Sequence, residues 1–259
     1  MERKILPGFL RKSYLFSFGL LILMAFASCQ KEEEKIAPQQ TNLEPMLQYL
    51  ESTGFDRKDI VYENGLFIIE DDILITKEEV EKYIAQNGIS EPNQRTEHYR
   101  GYKVSNTYVR NIKYYIEPSV SSSWKTAIRN SIKQWNAITS TKLYLSEVTT
   151  RSTANCIVNT GYENANWIAR AYLPSYTGKP GFQMTINTKY NTLDSSRKLF
   201  TMVHEMGHTF GFYHTNQTQG IFITGSPVTD ANSVMNSYVL PWNGFTTGDV
   251  KATRLIYPL

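Results

Sequence analysis

The stretch His204-Glu205-Met206-Gly207-His208-Thr209-Phe210-Gly211-Phe212-Tyr213-His214 holds three of the four histidines in this chain of 259 residues. Residues four apart on a helix lie on one face, one turn from each other, so the imidazoles of His204 and His208 can reach a single ion. Glu205 follows next around the helix and can reach a water molecule beside that ion. The pattern predicts a helix that carries a metal site and a catalytic base.

His214 can join this site only if the helix ends before it. On a continuous helix, His214 would lie about 9 Å beyond His208 along the axis and on another face. Gly211 tolerates the left-handed conformation that ends helices and lets the chain turn back. Three neutral imidazoles with an open fourth position are typical of catalytic Zn²⁺. The alternative is a helix with hydrogen-bonded histidines and a glycine cap.

The residues on both sides of this stretch predict a mixed α/β domain. Asp194 or Ser195 can cap the metal-binding helix, and Thr246 or Thr247 can cap a closing helix. Ser121 to Ala137 carries an apolar stripe that predicts a helix packed on the core. Strands are predicted at Asn111–Ile116, Leu143–Leu145, Cys156–Val158, Ile168–Leu173 and Phe182–Ile186.

The N-terminus is predicted to be a signal peptide. Basic residues precede an apolar run from Tyr14 to Ser28, which is shorter than an ordinary membrane span. An uncleaved signal anchor is the alternative. Residues 26–29 resemble the lipobox of bacterial lipoproteins, which implies a lipid on Cys29 and an outer-membrane location. Residues 30–34 resemble the acidic tag of surface-exported lipoproteins. With Cys29 lipidated, Cys156 is predicted to be a small buried apolar residue.

Charge divides the rest of the chain. The formal net charge of +3 belongs entirely to residues 1–28, so the composition gives no indication of a nucleic-acid partner. Residues 29–98 carry a net charge of −9 and residues 99–259 a net charge of +9. We predict four segments: a signal peptide at 1–28, a tether at 29–42, an acidic prosegment at 43–98 and a catalytic domain at 99–259.

Within the prosegment, Leu43–Gly88 predicts helix, strand and helix, and the polar run Ser90–His98 predicts a boundary. The prosegment has no cysteine to place on a metal, so we predict that Asp71 or Asp72 displaces the metal-bound water and keeps the protein latent. A cut at the boundary would then activate the domain and release it from the membrane. The alternatives are a solvated turn and an independent acidic domain.

The full H-E-x-x-H-x-x-G-x-x-H pattern, followed by Ser233-Val234-Met235-Asn236-Ser237-Tyr238, resembles the metzincin clan of zinc endopeptidases. The resemblance implies that Met235 forms an apolar floor beneath the zinc. It also implies that Tyr238 ligates the metal or steadies the transition state. Tyr238 stands three residues after Met235, whereas metzincins with such a tyrosine place it two residues after. A packed core tyrosine is therefore the alternative.

Together with the lipoprotein start and the acidic prosegment, these motifs resemble bacterial dual-action HEIGH metallopeptidases. The resemblance implies a metzincin-like α/β fold: a twisted, mostly parallel sheet with an antiparallel edge strand, a backing helix, an active-site helix, a Met-turn and a C-terminal helix. It also implies that substrate binds as an extended strand along a sheet edge. Ile168–Leu173 is the predicted edge.

These observations predict a monomeric, lipid-anchored zinc endopeptidase that acts on peptides or proteins. The predicted metal ligands are His204, His208 and His214, and the predicted catalytic residues are Glu205 and Tyr238. Water activated by Zn²⁺ would attack the peptide bond while Glu205 serves as general base. The alternative is an inactive zinc-binding surface lipoprotein that acts as an adhesin or interaction module, although such a protein has no need of Glu205.

Overall fold

The computed structural model describes residues 42–88, 99–216, 221–227 and 230–259. The predicted signal peptide, Cys29, all of the tether but its last residue, and the boundary Ser90–His98 lie outside these residues. In the described ranges, no helix combines the length and the apolar composition that crossing a membrane requires.

Three of the predicted helices form at the positions that their capping residues and apolar stripes indicate. Asp194 caps the helix that carries the histidine motif, and Thr246 caps the last helix together with Asp249. The apolar stripe of the Ser122–Asn136 helix is buried, as predicted. The helices are α1 Glu44–Ser52, α2 Lys77–Asn87, α3 Asn106–Val109, α4 Ser122–Asn136, α5 Ser195–Thr209 and α6 Thr247–Ile256. Short 3₁₀ helices span Arg57–Asp59, Arg151–Thr153 and Thr188–Tyr190.

The strands are short, and most of them alternate between buried and more exposed residues. They are β1 Ile60–Glu63, β2 Leu66–Ile69, β3 Ile73–Thr76, β4 Tyr99–Arg100, β5 Ile112–Ile116, β6 Leu145–Val148, β7 Cys156–Gly161, β8 Ala169–Tyr172, β9 Gln183–Asn187 and β10 Ile221–Phe222. β4 and β10 pair with each other as a separate antiparallel ribbon. All the others belong to one sheet.

The sheet has the strand order β1-β2-β3-β8-β9-β7-β5-β6. The pairs β5/β6, β5/β7 and β7/β9 are parallel, while β8 lies antiparallel to β9. Within residues 99–259, β8 is therefore the antiparallel edge strand of a mostly parallel sheet, as predicted. In the whole chain this edge is covered, because β3 pairs with β8 in parallel register, Ile73 opposite Ala171 and Leu74 opposite Tyr172.

The main core lies between the sheet and helices α4 and α5. Trp124 and Trp135 of α4 are almost wholly buried there. The indole N–H of Trp135 donates to the carbonyl of Val203 at 3.0 Å, which ties α4 to α5. Cys156 is fully buried in this core, and burial raises the pKa of its thiol. The predicted role of Cys156 as a small apolar residue agrees with this position.

The part of the predicted prosegment from residue 43 to residue 88, hereafter the N-terminal module, contains more strands than predicted. We predicted one strand between two helices, and the structure has three, because β1 and β3 also pair with β2. The core of the module includes Phe55, Phe67 and Val80, but Leu173 and Tyr213 of the later domain are also part of it. Asn42–Leu259 forms one compact unit.

Candidate metal centre

Helix α5 presents His204, Glu205 and His208 at the centre of the molecule. The carboxylate of Asp194 accepts the backbone N–H of Arg197 at 2.9 Å and fixes where the helix begins. All three side chains are buried. His204 and His208 are one turn apart, and their Nε2 atoms lie 2.9 Å from each other. Helical spacing alone therefore produces this half of the site.

The third histidine reaches the site through a Schellman motif at the end of α5. The N–H of Phe212 donates to the carbonyl of Gly207 and the N–H of Gly211 to that of His208, both at 3.0 Å. Gly211 has φ of +106°, in the left-handed region. The reversed chain brings Nε2 of His214 to 3.3 Å from Nε2 of His204. The structure thus places the three predicted ligands together.

Replacing Gly211 with alanine is expected to destabilise the protein more than the same change at Gly244. Both glycines have positive φ, at +106° and +84°, so both substitutions carry backbone strain of about 1–3 kcal/mol. Only at Gly211 would the new Cβ meet another group, the backbone carbonyl oxygen of Tyr102 at 2.5 Å. Overpacking of this kind costs roughly a further 1–3 kcal/mol. Urea unfolding of both variants measures the difference, and equal losses would contradict the expectation.

Hydrogen bonds at Nδ1 set the orientation of all three imidazoles. Nδ1–H of His204 donates to the carbonyl of Val234 at 2.7 Å, and that of His208 to the carbonyl of Phe212 at 2.8 Å. Nδ1 of His214 lies 2.5 Å from Oε2 of Glu70. In the neutral imidazole with Nδ1 as the donor, each Nε2 carries a lone pair that points toward the shared centre. Ligand histidines are oriented by such partners.

The donor set fits a zinc ion. Nitrogens that share a tetrahedral Zn²⁺ at 2.0–2.1 Å lie about 3.3–3.4 Å apart. The 3.3 Å between His204 and His214 matches this separation, and the 2.9 Å between His204 and His208 is shorter than it. Three converging lone pairs repel one another unless a cation lies between them. Asp72 adds a carboxylate oxygen, and one ligand atom from each of Asp72, His204, His208 and His214 lies within 4.8 Å of the others. The assignment of the individual ligands stays a prediction.

The carboxylates of Glu70 and Asp72 reach the histidines from the turn between β2 and β3, hereafter the hairpin tip (residues 70–72). Asp72 Oδ2 lies 3.2 Å from Nε2 of His214 and 3.4 Å from Nε2 of His204. Glu70 and Asp71 have positive φ, which is costly for residues with a Cβ. The tip therefore holds an unfavourable backbone conformation that aims two carboxylates at the site.

Burial and nearby charges shift the pKa values of His214 and Asp72 in opposite directions. Burial lowers the pKa of His214, but the charge of Asp72 and hydrogen bonds to Asp72 and Glu70 outweigh it and raise the pKa to about 10. Burial alone would raise the pKa of Asp72, yet the positive charge of His214 and hydrogen bonds to His204 and His214 hold it far below its usual range. Burial and the two neighbouring imidazoles lower the pKa of His208. The carboxylates that favour a proton here also favour a divalent cation.

Glu205 faces the same centre. Its side chain is buried, and its Oε2 has no hydrogen-bond partner within the described part of the chain. Burial, and then the nearby charge of Asp72, raise the pKa of Glu205 well above its ordinary value. A carboxylate with an unsatisfied oxygen and a raised pKa is suited to accept a proton from a water molecule.

The predicted Met-turn lies beneath α5. Met235 is buried, and a Cβ on Gly207 would come within 2.5 Å of its sulfur, so the thioether packs directly against the helix at this glycine. Tyr238 lines a cavity of about 260 Å³ that also contains His204, Glu205 and the hairpin tip. Its side chain is 47% exposed, and its hydroxyl donates to the carbonyl of Ala231 at 3.3 Å. The packed-core alternative is therefore wrong, and the catalytic role of Tyr238 stays a prediction.

Sequence reasoning missed three contributions to the site. Glu70 was part of an acidic run, but nothing local to it indicated His214 as its partner. Arg170 on β8 donates through Nε to the carbonyl of Asp71 at 2.6 Å and holds the hairpin tip. Asp249 accepts hydrogen bonds from the Met-turn. Only Asp249 could have been found from the sequence, because Thr246 and Asp249 form the T-x-x-D pattern that is typical of a helix start.

Comparison with known proteins gives one family match and several similar solved structures. Residues 67–241 match the family described as dual-action HEIGH metallo-peptidase. The chain resembles the solved structure of high choriolytic enzyme 1, a hatching-enzyme zinc-protease of the medaka fish Oryzias latipes. That match has 14% identity and a TM-score of 0.41, and it covers 61% of this chain and 94% of the other. Myroilysin matches at 10% identity and a TM-score of 0.41, covering 64% and 92%. No match was found among the curated proteins.

Proposed function

This chain belongs to the family of dual-action HEIGH metallopeptidases, and from that premise we propose that it is a zinc endopeptidase of the metzincin type. Zinc is its cofactor. The observation that carries the proposal is the convergence of three Nε2 atoms, each fixed by a partner at Nδ1, beside the buried carboxylate of Glu205. The position of Met235 beneath the histidine helix supports the metzincin type.

The chain's own residues account for the steps of peptide hydrolysis. His204, His208 and His214 would hold the zinc, which when bound lowers the pKa of water and polarises a carbonyl. Glu205 accepts the proton of the attacking water and passes it to the leaving amine. Tyr238, on the cavity wall, can assist at the reacting carbonyl if its hydroxyl leaves Ala231. The burial of Glu205 away from bulk water strengthens each of these electrostatic interactions.

The proposal is tested by digesting a peptide library with protein that begins at Gln30, has been cut within residues 89–98 and has then been separated from the N-terminal module. Cleavage at internal bonds is expected, together with its complete loss in a zinc chelator and its return when Zn²⁺ but not Mg²⁺ is added back. Mass spectrometry of the products separates internal cuts from the removal of terminal residues. Cleavage that survives the chelator, or removal of terminal residues alone, would contradict the proposal. A protein that binds zinc and cleaves nothing would favour the surface-adhesin alternative.

The contacts of the N-terminal module support latency of the uncut protein. β3 occupies the edge of β8 along which an extended substrate would pair: the N–H of Ala171 donates to the carbonyl of Asp72 at 2.9 Å, and that of Leu173 to Leu74 at 3.0 Å. At the end of this strand pair, Asp72 reaches His204 and His214. Of the two aspartates named from the sequence, Asp72 is thus the one proposed to block the zinc.

A cut within residues 89–98 is therefore proposed to be necessary but not sufficient for activation. The module shares its core with Leu173 and Tyr213, and the rings of Phe55 and Tyr213 pack with centroids 4.9 Å apart. The N–H of Tyr176 also donates to Glu79 at 2.9 Å, and the hydroxyl of Tyr83 donates to the carbonyl of Pro174. These contacts do not depend on the connecting peptide. The module must dissociate or be degraded before substrate can pair with β8.

For the location, we propose a lipid on Cys29 that anchors the protein at the outer face of the outer membrane. The sequence from Phe26 to Cys29 and the acidic residues that follow support it. Release of the catalytic domain would then require both the cut and loss of the module. We also propose that the protein acts as a monomer on peptide or protein substrates and has no nucleic-acid partner, in keeping with its balanced charge after residue 28.

A further inference from the structure

The carboxylate of Asp249 connects two parts of the chain at the base of the histidine site. Asp249 lies in the first turn of α6 and is 3% exposed. Its Oδ2 accepts the N–H of Thr246 at 3.0 Å, which caps the helix, and also the N–H of Val234 at 3.2 Å. Its Oδ1 accepts the hydroxyl of Ser233 at 2.6 Å. Of these hydrogen bonds, only the one from the N–H of Thr246 is needed to cap the helix.

The other bonds continue toward His204. The hydroxyl oxygen of Ser233 accepts the N–H of Met235 at 3.0 Å. That N–H belongs to the same peptide group as the carbonyl of Val234, which accepts Nδ1–H of His204 at 2.7 Å. Three hydrogen bonds and one peptide plane therefore join Asp249 to the imidazole. Each acceptor in such a buried chain is polarised by the next, so the anionic end strengthens the bond at His204.

We propose that Asp249 is a positioning residue for the metal ligand His204. By holding the 234–235 peptide, it keeps the Val234 carbonyl aimed at Nδ1, and this fixes both the ring orientation and the tautomer that leaves Nε2 for zinc. Outer-shell partners of ligand histidines commonly change metal affinity by about 10–100-fold when they are removed. The proposal rests on the zinc function argued above, but its readout is zinc binding, which does not require peptidase activity.

The test compares zinc dissociation constants of the full chain from Gln30 and its variants by competition with a chelator of known affinity. Asp249→Ala is expected to bind zinc about tenfold more weakly. Asp249→Asn keeps one of the two acceptor oxygens and loses the charge, so its zinc affinity is expected to lie between those of wild type and Asp249→Ala. Thr246→Ala is the matched control, because it removes the other side-chain cap of α6 and a hydrogen bond to Asp230 but leaves the contacts of Asp249 to Ser233 and Val234. Its zinc affinity is expected to equal that of wild type.

A spectroscopic measurement separates positioning from general loss of stability. At full Co²⁺ occupancy, the visible absorption bands of Asp249→Ala are expected to shift relative to wild type, since ligand orientation changes, whereas those of Thr246→Ala are not. Should Asp249→Ala fail to fold, Ser233→Ala serves instead, because it interrupts the same hydrogen-bonded chain and leaves the α6 cap intact. It is expected to weaken zinc binding in the same direction.

Two results would overturn the proposal: wild-type zinc affinity and an unchanged Co²⁺ spectrum in both Asp249→Ala and Ser233→Ala, or an equal loss of affinity in Thr246→Ala. Failure of the proposed function has a different signature: a wild-type chain that binds zinc but cleaves no peptide would contradict the endopeptidase and leave this test intact, and a wild-type chain that binds no zinc would contradict the zinc site itself.

Discussion

Replacing Glu205 with glutamine is expected to reduce peptide cleavage by about 10²–10⁴-fold, the range for removal of a general base. Glutamine has nearly the same shape but cannot accept the proton of the attacking water. Zinc content is expected to stay at the wild-type level, because the three imidazoles and their Nδ1 partners are untouched. Glu205 would thus prove essential for the reaction and dispensable for the metal.

The measurement pairs initial rates on an internally cleaved peptide with metal analysis of the same protein samples. Glu147→Gln is the matched control, because it makes the same chemical change in a carboxylate that pairs with Arg129 on the surface. This control is expected to cleave at the wild-type rate. Residual activity of Glu205→Gln above about a hundredth of wild type would contradict the role of general base.

Replacing Asp72 with asparagine is expected to raise the activity of the uncut protein by about 10–100-fold. Hydrogen bonds to charged groups contribute about 1.5–3 kcal/mol, and each 1.4 kcal/mol corresponds to a factor of ten. The substitution removes the negative charge that faces His204 and His214. Full activity is not expected from this change alone, since β3 would still cover the edge of β8.

Asp71→Asn makes the same charge change one residue earlier and provides the control. Arg170 contacts Asp71 through the backbone carbonyl, so asparagine keeps that bond and the uncut protein is expected to stay latent. Rates should be compared for the uncut protein and for protein that has been cut within residues 89–98 and freed of the module, with zinc content and size-exclusion profiles of each sample. An uncut wild type already as active as the protein freed of its module, with a rate that neither Asp72→Asn nor salt changes, would show that the module is not inhibitory.

What could be predicted from the sequence follows from short-range geometry. The helical period places His204 and His208 on one face, and the only route that brings His214 to them is a turn at a residue such as Gly211. Caps at Asp194 and Thr246 and the buried stripe of α4 are equally local. Each of these features depends on contacts between residues that are close in sequence. The local pattern of side chains therefore determines it, whatever the position of the segment in the fold.

The remaining features depend on segments that meet only in the folded chain. Glu70 and His214 are 144 positions apart, and β3 and β8 pair across nearly a hundred residues. Nothing in the run Glu70-Asp71-Asp72 distinguishes the aspartate that faces the histidines from the one whose carbonyl binds Arg170. That choice is made by the left-handed conformation of the hairpin tip, which the packing of β2 and β3 imposes on residues that do not favour it. Local sequence determined the predicted metal ligands and the predicted base, whereas tertiary packing decided which carboxylates face them and which segment covers the edge of β8.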